Sequence, residues 1–276
     1  MRRNGVASAA RVIALLAVLG VAVFPVYWML VTSLTSDADL FGSGLTLLPD
    51  LGAFHTYADA FAQGRIQTWL LNSAIIAGGT AFLSISLAIP LGYALSRFSF
   101  RGKALVAGLL LLTQMLPEAL LVIPLFGIFR DLGLLNSLTG LVFVNASFVL
   151  PVVALLVKNA IDGIPRELEE AARVDGCTPI SVLTRINVPL IAPTLAAAGV
   201  IAFFHGWNEY VFAVTFLFDE SKRPASVGLA SFIGEQATSI QSVMAVGLVY
   251  TLPAVLFYLF AQKYVVSGMT AGGVKG

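Results

Sequence analysis

Six long apolar stretches dominate this chain and leave few folds open to it. They are Val12–Thr32, Trp69–Leu95, Ala104–Phe129, Leu138–Val157, Leu190–Phe218 and Ser242–Val266. A helix that crosses a bilayer needs about 20 mainly apolar residues, and every stretch meets that length. Only 11% of the 276 residues are charged, against 58% hydrophobic, whereas soluble domains carry roughly 25% charged residues. A soluble protein of this size could not cover its surface with so few charges. The expected class is an all-α integral membrane protein with six transmembrane helices. The net charge of +1 offers nothing to nucleic acid. With one cysteine, Cys177, and two histidines, His55 and His205, the chain has neither an internal disulfide nor a recognisable metal-binding pattern.

Prolines stand inside the stretches: Pro25, Pro90, Pro117, Pro124, Pro151, Pro193 and Pro253. Each frees a backbone carbonyl that neighbouring helices or water must satisfy. So many kinks suggest a bundle around a cavity, although ordinary packing irregularity in proline-tolerant spans gives the same pattern. Orientation follows the basic residues. With the N-terminus inside, twelve of the 16 Lys and Arg fall on the cytoplasmic side and Arg65, Arg130, Lys222 and Arg223 outside. Both termini are then cytoplasmic. Arg2, Arg3 and Arg11 ahead of an apolar run resemble a secretory signal, but the run is of spanning length and lacks a small-residue cleavage site, so an uncleaved first span is expected.

One polar segment interrupts this pattern: "EEAARVDGCTPISVLTRINVP", Glu169–Pro189. Before it, Pro165 suits the start of a helix. Glu167, Glu169 and Glu170 lie near the helix's positive end and Arg173 near its negative end, the favourable sign at both. Gly176 can take the left-handed conformation that ends helices. Thr178-Pro179 reads as an N-cap followed by a first-turn proline. The local chemistry predicts helix, glycine elbow, helix on the inner membrane face. Small Ala171 and Ala172, ringed by Glu170, Arg173 and Asp175, suit a knob entering a partner's socket; a solvated amphipathic connection fits the same residues.

The spacing Glu170-Ala171-Ala172, three residues, Gly176, nine residues, Ile186, one residue, Val188-Pro189 resembles the EAA loop of ABC importer permeases, with Val188 where that family prefers leucine. "GYALSRFSFRGK" (Gly92–Lys103), "IPLFGIFRDLGLLNS" (Ile123–Ser137), "WNEYVFAVTF" (Trp207–Phe216) and "SGMTAGGVKG" (Ser267–Gly276) resemble the carbohydrate-type branch, similar to the smaller membrane subunit of maltose-type importers. The resemblance runs from about Val12 to Gly276.

That resemblance implies a type I ABC importer permease fold in a bacterial or archaeal plasma (inner) membrane. It divides the chain into an N-terminal span with an external segment (1–68), a transmembrane core (69–266) holding the EAA loop (158–189), and a cytoplasmic tail (267–276). The implied partners are a second homologous permease, a cytoplasmic ABC ATPase dimer, an external substrate-binding protein and the bilayer. No cofactor is expected in this chain. ATP and Mg would be bound by the ATPase, in keeping with the lack of a G-x-x-x-x-G-K-[ST] loop here. Glu170, Ala171, Ala172, Asp175 and Gly176 are the implied ATPase-docking positions, with Arg173 added on charge grounds. The segment Asp219–Gln241 is the expected external contact, and the Lys275-Gly276 tail either lies against the ATPase or frays.

Polar residues at membrane depth usually face a cavity or each other. Gln114, Glu118, Asn145, Trp207, Asn208 and Glu209 are the candidates for a solute path. An aromatic ring can stack on a sugar's C–H face while amides and carboxylates take its hydroxyls. Gln114 and Glu118, four apart, would share a helix face, whereas Trp207, Asn208 and Glu209 cannot all point one way. Asn72 and Ser147 are weaker candidates, because buried amides and hydroxyls often only join helices. Two other classes stay open on the residues alone: a self-sufficient secondary transporter, which needs its own coupling-ion site, and a membrane enzyme, for which no nucleophile–base set is visible. Within the importer reading, a glycerol-phosphate-type solute competes with a sugar; the lack of an intramembrane Arg or Lys cluster favours the sugar.

Overall fold

A computed structural model of the chain describes residues 3–42, 47–62, 65–234 and 239–273, and among these residues the secondary structure is helical throughout. In chain order the principal helices are α1 (Arg3–Ser33), α2 (Ile66–Arg97), α3 (Lys103–Thr113), α4 (Glu118–Asp131), α5 (Leu138–Asp162), α6 (Arg166–Val174), α7 (Pro179–Val182), α8 (Ala192–Asn208), α9 (Val211–Phe216), α10 (Ala225–Gly234) and α11 (Ile240–Gly273). Among the described residues, four continuous helices are long and apolar enough to cross a membrane. Two bent pairs bring the number to six if each pair is one span.

Two of the six expected spans are sharply bent. The third apolar stretch is two helices, α3 and α4, meeting at 104°. Pro117 takes an extended conformation at the break (φ −62°, ψ 124°) and removes the N–H that a continuous helix would need. The fifth stretch is α8, which ends at Asn208, followed after a two-residue gap by the six-residue α9. On its other side α8 meets the helical run Pro179–Leu190 at 79°.

Two compact units divide the chain. The first comprises Met1–Gln67 and Leu229–Leu252. Here α1 exposes its apolar side chains from Val12 to Tyr27 and buries Val31, Thr32, Ser33 and Leu34 at its end. The Ser33 hydroxyl lies 2.7 Å from the Tyr57 hydroxyl, and the Tyr27 hydroxyl donates to the Leu47 carbonyl at 2.5 Å.

The second unit comprises Thr68–Gly228 and Pro253–Gly276. Its core lies between α2, α5 and α8, where Ala88, Tyr93, Val149, Val153, Val157, Ile161, Ala198 and Ala202 pack together. A second cluster joins α2, α4, α5 and α9 through Ile76, Phe129, Leu141, Val144, Phe212 and Phe216. Small residues let the helix backbones approach closely, as is usual between membrane helices. A Cβ on Gly92 would stand 2.7 Å from a Val157 methyl and 2.9 Å from the Lys158 nitrogen. One on Gly79 would stand 2.8 Å from a Val142 methyl, and one on Gly206 2.9 Å from the Ala77 Cα.

Candidate functional site

The polar segment between α5 and α8 folds as its local chemistry predicts. Pro165 stands at the N-cap of α6, one position ahead of the first turn; Glu167 and Glu169 occupy that turn, and Arg173 the last. The helix ends in a Schellman motif. The Cys177 N–H donates to the Ala172 carbonyl at 2.9 Å, the Gly176 N–H to the Arg173 carbonyl at 3.0 Å, and Gly176 holds φ +88°. The next helix starts at once: the Thr178 hydroxyl accepts the Ser181 N–H at 3.2 Å, and Pro179 fills the first turn. A π-helical turn, Leu183–Asn187, then carries the chain toward α8. Wider turns of this kind recur at functional sites, and no sequence signal marked it.

The elbow's outward face is mixed. Glu170, Ala171, Arg173, Asp175 and Gly176 are exposed and Ala172 half-buried. Beside them Val174 is 88% exposed and Ile180 74%. Val174 carries no signal in the sequence, whereas Ile180 falls at helical spacing with Leu183 and Ile186; Ile180 is exposed while Val182 fills the interior.

The inward face is tied down by ions. Arg97, the last residue of α2, donates from Nε to Glu169 Oε1 at 2.6 Å and from Nη2 to the Ile164 carbonyl at 2.8 Å. The neighbouring Ser96 hydroxyl donates to Asp162 Oδ1 at 2.5 Å, and Lys158 Nζ reaches Asp162 Oδ2 at 2.6 Å. Arg173 reaches back one turn to within 3.8 Å of Glu169 Oε2 while staying half-exposed. Charge alone leaves Arg173 either in contact with a partner or favouring its own helix end; the structure also gives it this internal tie.

The candidate solute-path residues do not form one cluster. The α3–α4 break removes the shared helix face expected for Gln114 and Glu118. Gln114, in the break, donates to the Phe148 carbonyl at 2.9 Å, and Glu118, opening α4, lies 3.9 Å from His205 Nε2 with both side chains partly exposed. Asn145 is wholly buried, and neither its Oδ1 nor its Nδ2 has a hydrogen-bond partner among the described residues. Trp207 is buried and stacked on Phe203 with centroids 5.7 Å apart. Asn208 is exposed. Glu209 is buried, its carboxylate accepting the Phe212 N–H at 2.6 Å and the Ala213 N–H at 3.0 Å, so it satisfies donors at the start of α9. Of the weaker candidates, Ser147 donates back to the Val144 carbonyl within its own helix at 2.7 Å.

The other named weaker candidate, Asn72, is a tether. Its Nδ2 donates to the carbonyls of Ser221 and Arg223 at 2.9 and 3.0 Å, and Ser73 accepts the Ala225 N–H at 2.8 Å. These bonds fix the start of the segment Asp219–Gln241. Asp219 itself accepts from the Ser221 hydroxyl at 2.8 Å and from its N–H at 3.0 Å, and those two donors hold its carboxyl below the usual aspartate range. Glu235, in that segment, and the tail residues Lys275 and Gly276 lie outside the described residues. No group of three or more His, Cys, Asp or Glu able to hold a metal ion occurs among the described residues.

Comparison with known proteins accords with this arrangement. The chain is 36% identical over 253 residues to the sulfoquinovosyl glycerol transport system permease protein SmoH of Agrobacterium fabrum, covering 92% of this chain and 89% of the relative. It is 34% identical over 259 residues to the trehalose/maltose transport system permease protein MalG of Thermococcus litoralis, covering 93% and 92%. Among solved structures, a bacterial ABC transporter involved in the import of the acidic polysaccharide alginate shares the fold with a TM-score of 0.82 at 24% identity, covering 96% of this chain and 98% of that one. A family model described as "binding-protein-dependent transport system inner membrane component" matches residues 84–271, a stretch holding the elbow, both bent pairs and Trp207–Glu209. This chain, a multi-pass membrane protein, therefore belongs to the family of inner membrane components of binding-protein-dependent transport systems.

Proposed function

We propose that this protein is a non-catalytic permease subunit of an ATP-driven carbohydrate importer and that its elbow, Glu170–Gly176, docks a separate cytoplasmic ATPase. The observation that carries this reading is the elbow's two-sidedness. Its C-terminal end closes in a Schellman motif followed by the Thr178 cap and its inner face is held by Arg97, while its outer face offers the small Ala171 beside exposed Val174 and Ile180. A rigid knob with an apolar tip suits a socket.

In this reading the elbow side is cytoplasmic, as the distribution of Lys and Arg suggests, and the Asp219–Gln241 side receives an external binding protein. A second permease completes the path, and ATP with Mg stays on the partner chain. ATPase closure pushes the elbow and shifts the spans between inward-open and outward-open states, a population shift set by the ATPase's differential affinity for the two. Relatives named for trehalose, maltose and sulfoquinovosyl glycerol transport support a carbohydrate as the solute. Among the described residues, the Asn145 side-chain amide has no hydrogen-bond partner and Glu118 faces His205 at 3.9 Å, which makes these two the favoured path residues.

Co-purification with an ATPase and a partner permease tests the reading. Val174→Asp should lower ATPase retention by about tenfold, the effect of losing one well-packed anchor, while the chain still inserts. Uptake into vesicles driven by an ion gradient, with no ATPase present, would refute the importer reading.

A further inference from the structure

A push on the elbow is useful only if it reaches the spans. The covalent route runs from α6 back into α5 through Gly163, Ile164 and Pro165. A second, non-covalent route exists at the end of α2. Ser96 holds Asp162, the last residue of α5, and Arg97 holds both the Ile164 carbonyl in the connection and Glu169 in α6. Two consecutive residues thus grip the chain on both sides of the corner where α5 turns into the elbow.

The Arg97–Glu169 pair is desolvated as well as close. Its side chains are 6% and 4% exposed. Removing one member of such a pair strands a buried charge. Arg97 also uses its guanidinium as a fork, Nε to a carboxylate and Nη2 to a carbonyl, which a lysine ammonium cannot reproduce. Glu169 directly precedes Glu170, so the residue that anchors inward adjoins the first of the outward-facing docking positions.

We infer that Arg97 is a positioning residue for energy coupling: through Glu169 it fixes the elbow to α2, so that displacement of the elbow drives α2 as well as α5. This rests on the elbow being the ATPase-docking element. With the clasp cut, the ATPase still docks and still turns over, but its stroke is partly lost in motion of the elbow against α2.

Two measurements test this. In the first, a spin label on Val174→Cys in a Cys177→Ser background reports elbow mobility in the chain alone in lipid vesicles. A restricted spectrum is expected with Arg97 present and a mobile one with Arg97→Gln; where that variant does not insert, Glu169→Gln serves the same purpose. In the second, the assembled importer carrying Arg97→Gln should hydrolyse several-fold more ATP per solute taken up at unchanged ATPase co-purification. The swapped pair Arg97→Glu with Glu169→Arg should recover part of the ratio. Unchanged label mobility in both neutral variants, or an unchanged ATP-to-solute ratio, overturns the inference. Failure of the wild-type chain to retain an ATPase instead overturns the proposed function, and the label, which needs no ATPase, still decides whether Arg97 fixes the elbow.

Discussion

The elbow and the α3–α4 break are both sharp turns in the same compact unit, and their side chains tie them in different ways. At the elbow a Schellman motif, a threonine cap and a buried ion pair satisfy the turn locally and tie it to α2. At the break one glutamine reaches a carbonyl of α5, and one glutamate faces a histidine at 3.9 Å. Local satisfaction makes a stiff corner. The break has local backbone bonds too, from the Gln114 N–H to the Leu111 carbonyl at 3.1 Å and from the Met115 N–H to the Leu112 carbonyl at 3.0 Å, but its polar side chains, Gln114 and Glu118, are tied less closely than Arg97 and Glu169. On the proposed function, stiffness stands where force enters and polar groups with few commitments stand at membrane depth.

The largest test of that contrast is Gly176→Pro. Proline cannot take φ +88° and has no N–H for the Arg173 carbonyl, a change worth about 3 kcal/mol or more. ATP-coupled uptake should be abolished while the spans remain inserted; normal uptake would show that the elbow's shape does not matter. Thr178→Ala is milder. Loss of a cap costs about 0.5–2 kcal/mol, so amide exchange at Ser181 should quicken by about fivefold with little effect on distant helices. Glu118→Gln should be the smallest for stability, about 1 kcal/mol or less for so long and partly exposed a pair. Its signature should be altered uptake between competing sugars at an unchanged melting temperature. A melting drop as large as that of the elbow variants would erase the contrast.

The elbow was legible in sequence because its determinants lie close together along the chain. Proline, acids, arginine, glycine, threonine and proline follow one another within 15 residues, from Pro165 to Pro179, and each acts on its own backbone. The spans were legible from hydropathy, but their breaks were not. Pro117 and Pro151 look alike in sequence, yet α5 continues through Pro151, while the chain leaves α3 at Thr113 and starts α4 only after Pro117. Tertiary packing decides between a kink and a break. Side-chain ties between distant segments were invisible for the same reason. Nothing near Arg97 announces a partner 72 positions away, or near Asn72 one 151 positions away. Glu209 was legible as a buried acid but not as a cap, because its local bonds depend on where α8 stops.

The glycines of α2 carry one more implication. Gly79 meets Val142 and Gly92 meets Val157, both on α5, at two levels 13 residues apart along α2, or about 20 Å at 1.5 Å per residue. Contacts this close at two levels leave no room for a side chain between the helices, while each helix meets the elbow by its own route, α5 covalently and α2 through Arg97. Alanine at either glycine would drive a wedge between the two.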